Sequence, residues 1–165
     1  MSQQNDNKGM VIVSACLAGV RCVNYPSYIS GDDTVKRLVA EGRAIPVCPE
    51  QLGGLPTPRL AAGFQGGTAE EFWTGGEVIT RVVDTVGCDV SEQFLAGPRE
   101  VLRIAQLVGA KEAILHDGSP SCGVTRTSAY DNDGVLKHVP GFGTVTWLLR
   151  QNGIDVYAQG TYKKD

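Results

Sequence analysis

The sequence predicts an α/β fold: a single three-layer domain in which a mainly parallel, Rossmann-like sheet is flanked by helices. Three observations predict it. Short apolar runs recur along the chain: MVIVSA at 10–15, AIPVC at 44–48, AILH at 113–116 and IDVYA at 154–158. Stretches with helical spacing alternate with them, at 32–43, 91–109 and 143–153. The runs are apolar at consecutive positions, as in strands covered on both faces, which is the setting of a parallel sheet.

Residues 1–9 are polar and are expected to form a disordered tail, with the domain spanning 10–160. In DDTVKRLVAEGR (32–43), acidic residues open a helix, Val35, Leu38 and Val39 form its apolar stripe, and Gly42 closes it. GGLPTPRLAAGFQGG (53–67) is dense in Gly and Pro and reads as a long loop. EVITRVVDTVGCDV (77–90) reads as a short strand or hairpin beside the main sheet. SEQFLAGPREVLRIAQLVG (91–109) is the strongest helical stretch, with Ser91 as N-cap and Phe94, Leu95, Leu102, Ala105 and Val108 on its apolar face. Pro98 is expected to kink this helix or restart it. GTVTWLLRQNG (143–153) gives a last helix and IDVYA a last strand.

The chain has 165 residues, 42% hydrophobic and 20% charged, which suits one globular unit. A net charge of −3 argues against holding long nucleic acid by its phosphates. No apolar run approaches a membrane span, and MSQQNDNKG lacks the charged-then-apolar order of a secretory signal. A cytoplasmic protein is the expectation, as a monomer or small homo-oligomer. The five cysteines then read as buried thiols, metal ligands or reactive groups, not as disulfides.

Three of the five share one placement. Cys16 follows the strand MVIVSA, Cys48 ends AIPVC, and Cys122 lies in the loop after AILH. The C-terminal ends of parallel strands share one edge, outside which ligands bind, so distant cysteines reach one rim. Cys22 and Cys88 are not expected there. Prolines 46 and 49 hold Cys48 in a pre-set extended stretch. Each cysteine alone could be a small buried hydrophobe. Together, beside hydroxyls in SAC and SPSCG, they suit a soft metal: an iron–sulfur cluster with an open iron, or zinc with a fourth ligand. His116 reads as a core histidine and His138 as an exposed loop residue. DNDG at 131–134 lacks the rest of a calcium loop and reads as a turn.

The segments VSACLAGVRC (13–22), PVCPEQLGGLPTPR (46–59), GCDVSEQFLAG (87–97), AILHDGSPSCG (113–123) and GFGTVTWLLRQNGIDV (141–156) resemble the thiouracil desulfurase family. The resemblance runs from about residue 11 to 158. It implies a three-layer α/β fold and a [4Fe–4S] cluster held by Cys16, Cys48 and Cys122, with one iron not bound by protein. It also implies that this iron takes the sulfur of a thiolated pyrimidine, base or nucleoside, and that a glutamate and a serine act beside it. Glu50 matches the glutamate; Ser119 is the first choice for the serine, with Ser121 beside it. The sequence departs from the family's pattern at Val23-Asn24-Tyr25-Pro26, at Asp117-Gly118 and at Pro98. Two other readings stand beside this one: a metal-binding protein whose cluster or zinc only supports the fold, and a metal-free thiol enzyme using Cys48. Glu50 could instead be a first-turn helix residue, and the two serines turn residues. The GGLPTPR loop either carries Arg59 to the site or is a rigid surface loop. Trp73, Tyr25 and Phe64 are candidates to stack on a pyrimidine, or core residues.

Overall fold

The computed structural model describes residues 9–24 and 31–164. The expected tail up to residue 8, and Tyr25 with Pro26, lie outside the described residues. In chain order the elements are β1 (Val11–Ser14), α1 (Asp33–Ala40), β2 (Ala44–Val47), α2 (Pro49–Leu52), β3 (Ala62–Gln65), α3 (Ala69–Thr74), β4 (Arg81–Asp84), α4 (Ser91–Leu107), β5 (Glu112–Leu115), β6 (Arg126–Tyr130), β7 (Leu136–Pro140), α5 (Thr144–Gln151) and β8 (Asp155–Ala158).

The four apolar runs form one sheet in the order β2-β1-β5-β8, with every pairing parallel. Ile12 of β1 stands beside Ile45 on one side and Ala113 on the other. Successive residues of β1 point to opposite faces, and both faces are covered. Ile12 packs with Val101 and Ala105 of α4 and Val145 and Leu149 of α5. Val11 and Val13 pack on the other side with Val35 and Leu38 of α1. This is the expected three-layer α/β arrangement, and each fully buried Val, Leu or Ile contributes about 1.5–3 kcal/mol to it.

A second sheet, in the order β4-β3-β6-β7, carries a separate core of Ala62, Phe64, Ala69, Val82 and Phe94. It corrects two expectations. The Gly/Pro-rich stretch 53–67 is not loop throughout, because Ala62–Gln65 forms β3. The strand in 77–90 pairs antiparallel with β3, not beside the parallel sheet. Residues 126–140 were not expected as strands and form an antiparallel hairpin. DNDG is its turn: Asp131 Oδ1 accepts from the N–H groups of Asp133 and Val135, both at 2.9 Å, and Gly134 takes a φ of +75°.

Two details of α4 also differ. Ser91 is not the N-cap but the first helical residue; its hydroxyl accepts the Val82 N–H at 2.9 Å and so ties α4 to β4. The helix does not restart at Pro98 but continues through it to Leu107. The reason for Gly97 beside it lies in packing. A Cβ at Gly97 would stand 1.9 Å from the Pro49 carbonyl oxygen, and one at Gly53 would stand 2.1 Å from that of Gln93. Two glycines thus let the one-turn α2, which follows Cys48 and contains Glu50, lie backbone to backbone on α4. Gly97→Ala should lower stability by about 1–3 kcal/mol, the range for an overpacked interior. A fall in the urea midpoint with unchanged m-value would show it.

Candidate metal centre and active site

β1 leads out to β2 on one side, and β5 leads to β8 on the other. Their connections diverge at the C-terminal edge, where a crevice forms. A cavity of about 470 Å³ opens there, within the range of small-molecule sites. Cys16, Cys48 and Cys122 all line it, as do Glu50, Ser119 and Ser121. The structure therefore brings these six candidate ligand and catalytic residues to one cavity.

Each thiol has a local cause for its position. Cys16 lies in a 3-10 turn, Ala15–Ala18, that follows β1 directly. Cys48 is extended (φ −119°, ψ 107°) at the N-cap of α2, whose first residue is Pro49. Cys122 is held in an irregular loop by backbone bonds to α5. The carbonyls of Pro120 and Ser121 accept from Thr144 and Val145, both at 2.9 Å, and that of Gly123 accepts from Gly143 at 2.8 Å. The first N–H groups of a helix, which have no partner inside it, thus clamp the thiol-bearing loop. Across the crevice, the Ser14 hydroxyl accepts the His116 N–H at 2.9 Å, and Ser121 Oγ donates to Cys122 Sγ at 3.8 Å.

The same loop is ordered from its other end by Asp117. Its Oδ1 accepts from the N–H groups of Val124 at 2.7 Å, Thr125 at 2.9 Å and Arg126 at 3.1 Å, and its Oδ2 accepts the Thr125 hydroxyl. Burial works against the ionised carboxyl, but these bonds outweigh it and hold Asp117 down at about 2.

Glu50 does sit in the first turn of α2, but its carboxylate also faces the cavity. Arg59 Nη2 lies 3.3 Å from Glu50 Oε2 and 3.8 Å from Cys48 Sγ. The Arg59 side chain is only 6% exposed, so the GGLPTPR loop carries it into the site. Arg59 Nε is buried without a hydrogen-bond partner. Ser121 Oγ donates to Glu50 Oε2 at 3.3 Å, and Ser119 Oγ stands 3.1 Å from Ser121 Oγ while accepting the Cys122 N–H at 2.7 Å. The hydroxyl touching the carboxylate is thus Ser121, with Ser119 one step behind.

Other placements differ from expectation. Cys22 is not remote: Gly19 (φ +93°) turns the chain back, and Cys22 lines the cavity, its carbonyl accepting from Cys48 Sγ at 3.7 Å. His116 and His138 line it too; burial lowers the His116 pKa, and His138 lies on β7 and not in a loop. Trp73 and Phe64 do not line it. Phe64 is core, and Trp73 stacks on Trp147 at 6.0 Å and donates to the Thr144 carbonyl at 3.0 Å. Cys88 is exposed, away from the cavity, as expected. The signals for Cys22 and the histidines were weak, since a loop's return path and an unrecognised hairpin brought them in.

Among the described residues no three His, Cys, Asp or Glu side chains gather closely enough to hold one metal ion. Soft sulfur donors around a cavity of this size fit a larger iron–sulfur centre. Their protonation fits as well. The bond with Cys22 and burial push the Cys48 thiol far up, burial pushes Cys122 up to about 12, and the bond with Cys16 pushes Cys22 up to about 11. Such thiols give up protons at neutral pH only where a metal's positive charge replaces them.

Fold and donor set define an α/β protein with sulfur donors gathered around a cavity at the edge of a parallel sheet. The chain belongs to the 2-thiouracil desulfurase family, whose sequence model matches residues 11–160. It is 35% identical over 152 residues to the uncharacterized protein YbbK of Bacillus subtilis (strain 168), covering 91% of this chain and 95% of that one. It is also similar to the solved structure of the [4Fe–4S]-dependent thiouracil desulfidase TudS. That match has 38% identity and a TM-score of 0.73, over 92% of this chain and 91% of that chain. No helix among the described residues is long and apolar enough to cross a membrane.

Asp117 gives this region a pH signature. The fold binds the carboxylate form, so its stabilisation is complete above the ordinary aspartate pKa of about 3.9. It is lost as pH falls through about 2. Asp117→Asn should lower the urea midpoint near neutral pH and flatten its decline below about pH 4. Parallel acid declines in the variant and the wild type would contradict this role.

Proposed function

We propose that this protein replaces the C=S of a thiolated pyrimidine such as 2-thiouracil by C=O, consuming water and releasing sulfide with no net redox change. The observation that carries this reading is the meeting, in one cavity, of three thiols with a carboxylate whose Oε2 is held by Arg59 and Ser121. Cys16, Cys48 and Cys122 would hold a [4Fe–4S] cluster with one iron not bound by protein. When bound, that centre supplies a soft Lewis acid for the substrate sulfur.

The chain's own residues account for the rest. Arg59 fixes the orientation of the Glu50 carboxylate, so Glu50 can act as a base without rearranging. Both recorded contacts fall on Oε2, which leaves Oε1 to take a proton from the attacking water. Ser121, donating to Oε2 with Ser119 beside it, holds the carboxylate in place for that proton transfer. His116, Arg126 and His138 line the cavity with groups able to bond a pyrimidine's oxygen and nitrogen atoms. A metal-free thiol enzyme is disfavoured, because Cys48 is pushed up and not down as a nucleophilic thiolate requires.

Anaerobic reconstitution with iron and sulfide, followed by 2-thiouracil and assay of uracil and sulfide, tests the reading. Wild type should load a cubane and release both products; Cys48→Ser should lose the cluster. Glu50→Gln should keep the cluster and lose roughly 10²–10⁴-fold in kcat, the range for a general base. A loaded wild type with no turnover would overturn the reaction, and absence of iron uptake would overturn the cluster.

A further inference from the structure

Arg59 makes one contact that the proposed reaction does not use. Nη1 donates to the Pro56 carbonyl at 3.4 Å and to the Thr57 hydroxyl at 3.2 Å, which anchors one arm of the guanidinium. Nη2 carries the other arm into the site, where it donates to Glu50 Oε2 at 3.3 Å and to Cys48 Sγ at 3.8 Å. A guanidinium nitrogen with two hydrogens serves two acceptors at once. Cys122 Sγ, by comparison, receives the neutral Ser121 hydroxyl at 3.8 Å. Of these two sulfurs, Cys48 is therefore the one with a cation as its donor.

We propose that Arg59 is a positioning residue for the metal centre as well as for Glu50: its Nη2–H group donates to the Cys48 sulfur and, through that sulfur, makes the centre a stronger electron acceptor. This rests on the cluster reading above. The contact requires no change of protonation. Arginine stays charged, and a cysteine sulfur accepts whether it is a thiol or bound to a metal. Donation from a cation is stronger than donation from a neutral group, and more so in an enclosed site; the Arg59 side chain is only 6% exposed. Such a bond draws electron density from the sulfur and hence from the iron it binds. That raises the reduction potential and sharpens the metal as a Lewis acid. The base and the metal's ligand thus share one donor nitrogen, and the GGLPTPR loop that carries Arg59 in sets both.

The test is an anaerobic redox titration of reconstituted wild type, Arg59→Met and Arg59→Lys, followed by the electron paramagnetic resonance signal of the reduced cluster. Iron and labile sulfide are counted in each. Arg59→Met should keep wild-type stoichiometry and move the midpoint to a more negative potential. Arg59→Lys, which keeps the charge, should lie closer to wild type. The sign separates this role from a merely structural one, because water entering a loosened site raises the potential. An unchanged or more positive midpoint in Arg59→Met would therefore overturn the proposal. The titration is repeated in a Glu50→Gln background. A shift that persists there supports direct action on the Cys48 sulfur, and one that vanishes shows action only through Glu50 and overturns it. If Arg59→Met does not load, Arg59→Gln, which keeps a polar group and drops the charge, decides by the same sign. Loss of the cluster from both neutral variants, with the fold intact by circular dichroism, would make Arg59 a requirement for assembly and also overturn the proposal. Failure of wild type itself to load a cluster is a separate result, which removes the underlying reading and this inference with it.

Discussion

The parallel pairing of β1 with β2 on one side and β5 on the other decides where everything else in this protein can happen. Parallel neighbours end at the same edge, so the segments after Val47, Ser14 and Leu115 emerge side by side although they are far apart in sequence. Burial enforces the pairing. Ile12 and Val13 are wholly inaccessible, and a one-residue slip would exchange the two faces of β1 between unlike cores. The cavity is thus a consequence of the core, whose strand pairing places its three strand-edge thiols.

Polar contacts then fix what the sheet only brings near. The loop after β5 has no regular structure, so its backbone needs partners from elsewhere. Asp117 supplies them from one side and the first turn of α5 from the other. Across the crevice, Cys48 and Glu50 owe their position to the backbone contact of α2 with α4, which requires Gly53 and Gly97. The site is therefore rigid on both sides, as a preorganised metal site with fixed hydrogen-bonding neighbours must be.

Its electrostatics have a single logic. Buried thiols resist ionisation, and the Glu50 carboxylate pushes the Cys122 thiol up further. Arg59, held by Glu50 with its side chain almost wholly enclosed, is the positive charge set among these groups. It lies 3.3 Å from the Glu50 carboxylate and approaches the Cys48 sulfur. A metal centre would complete that balance, which explains a wall with more acidic protons to lose than cations to receive them.

How much of this was legible in the sequence follows from the range of the forces involved. Continuous apolar runs and helical spacing are local signals, and they placed all four parallel strands and the helices α1, α4 and α5. Strand ends with cysteines, combined with the rule that parallel strands share an edge, picked out Cys16, Cys48 and Cys122. Glu50, Ser119 and Ser121 came from the family resemblance that the same segments carry. β3 was hidden because four residues between glycines carry almost no period, and the β6–β7 hairpin because its strands are mostly polar, although Asp133-Gly134 was a turn signal. Ser91 looked like a cap, yet β4 claimed its hydroxyl. Tertiary structure alone decided that Arg59 enters the site, that Trp73 and Phe64 do not, that Ser121 and not Ser119 touches Glu50, and that Cys22 returns to its fellow thiols. Each of these depends on where a loop folds back or which backbone lies against which, and such contacts are set by long-range packing that leaves no period in the chain.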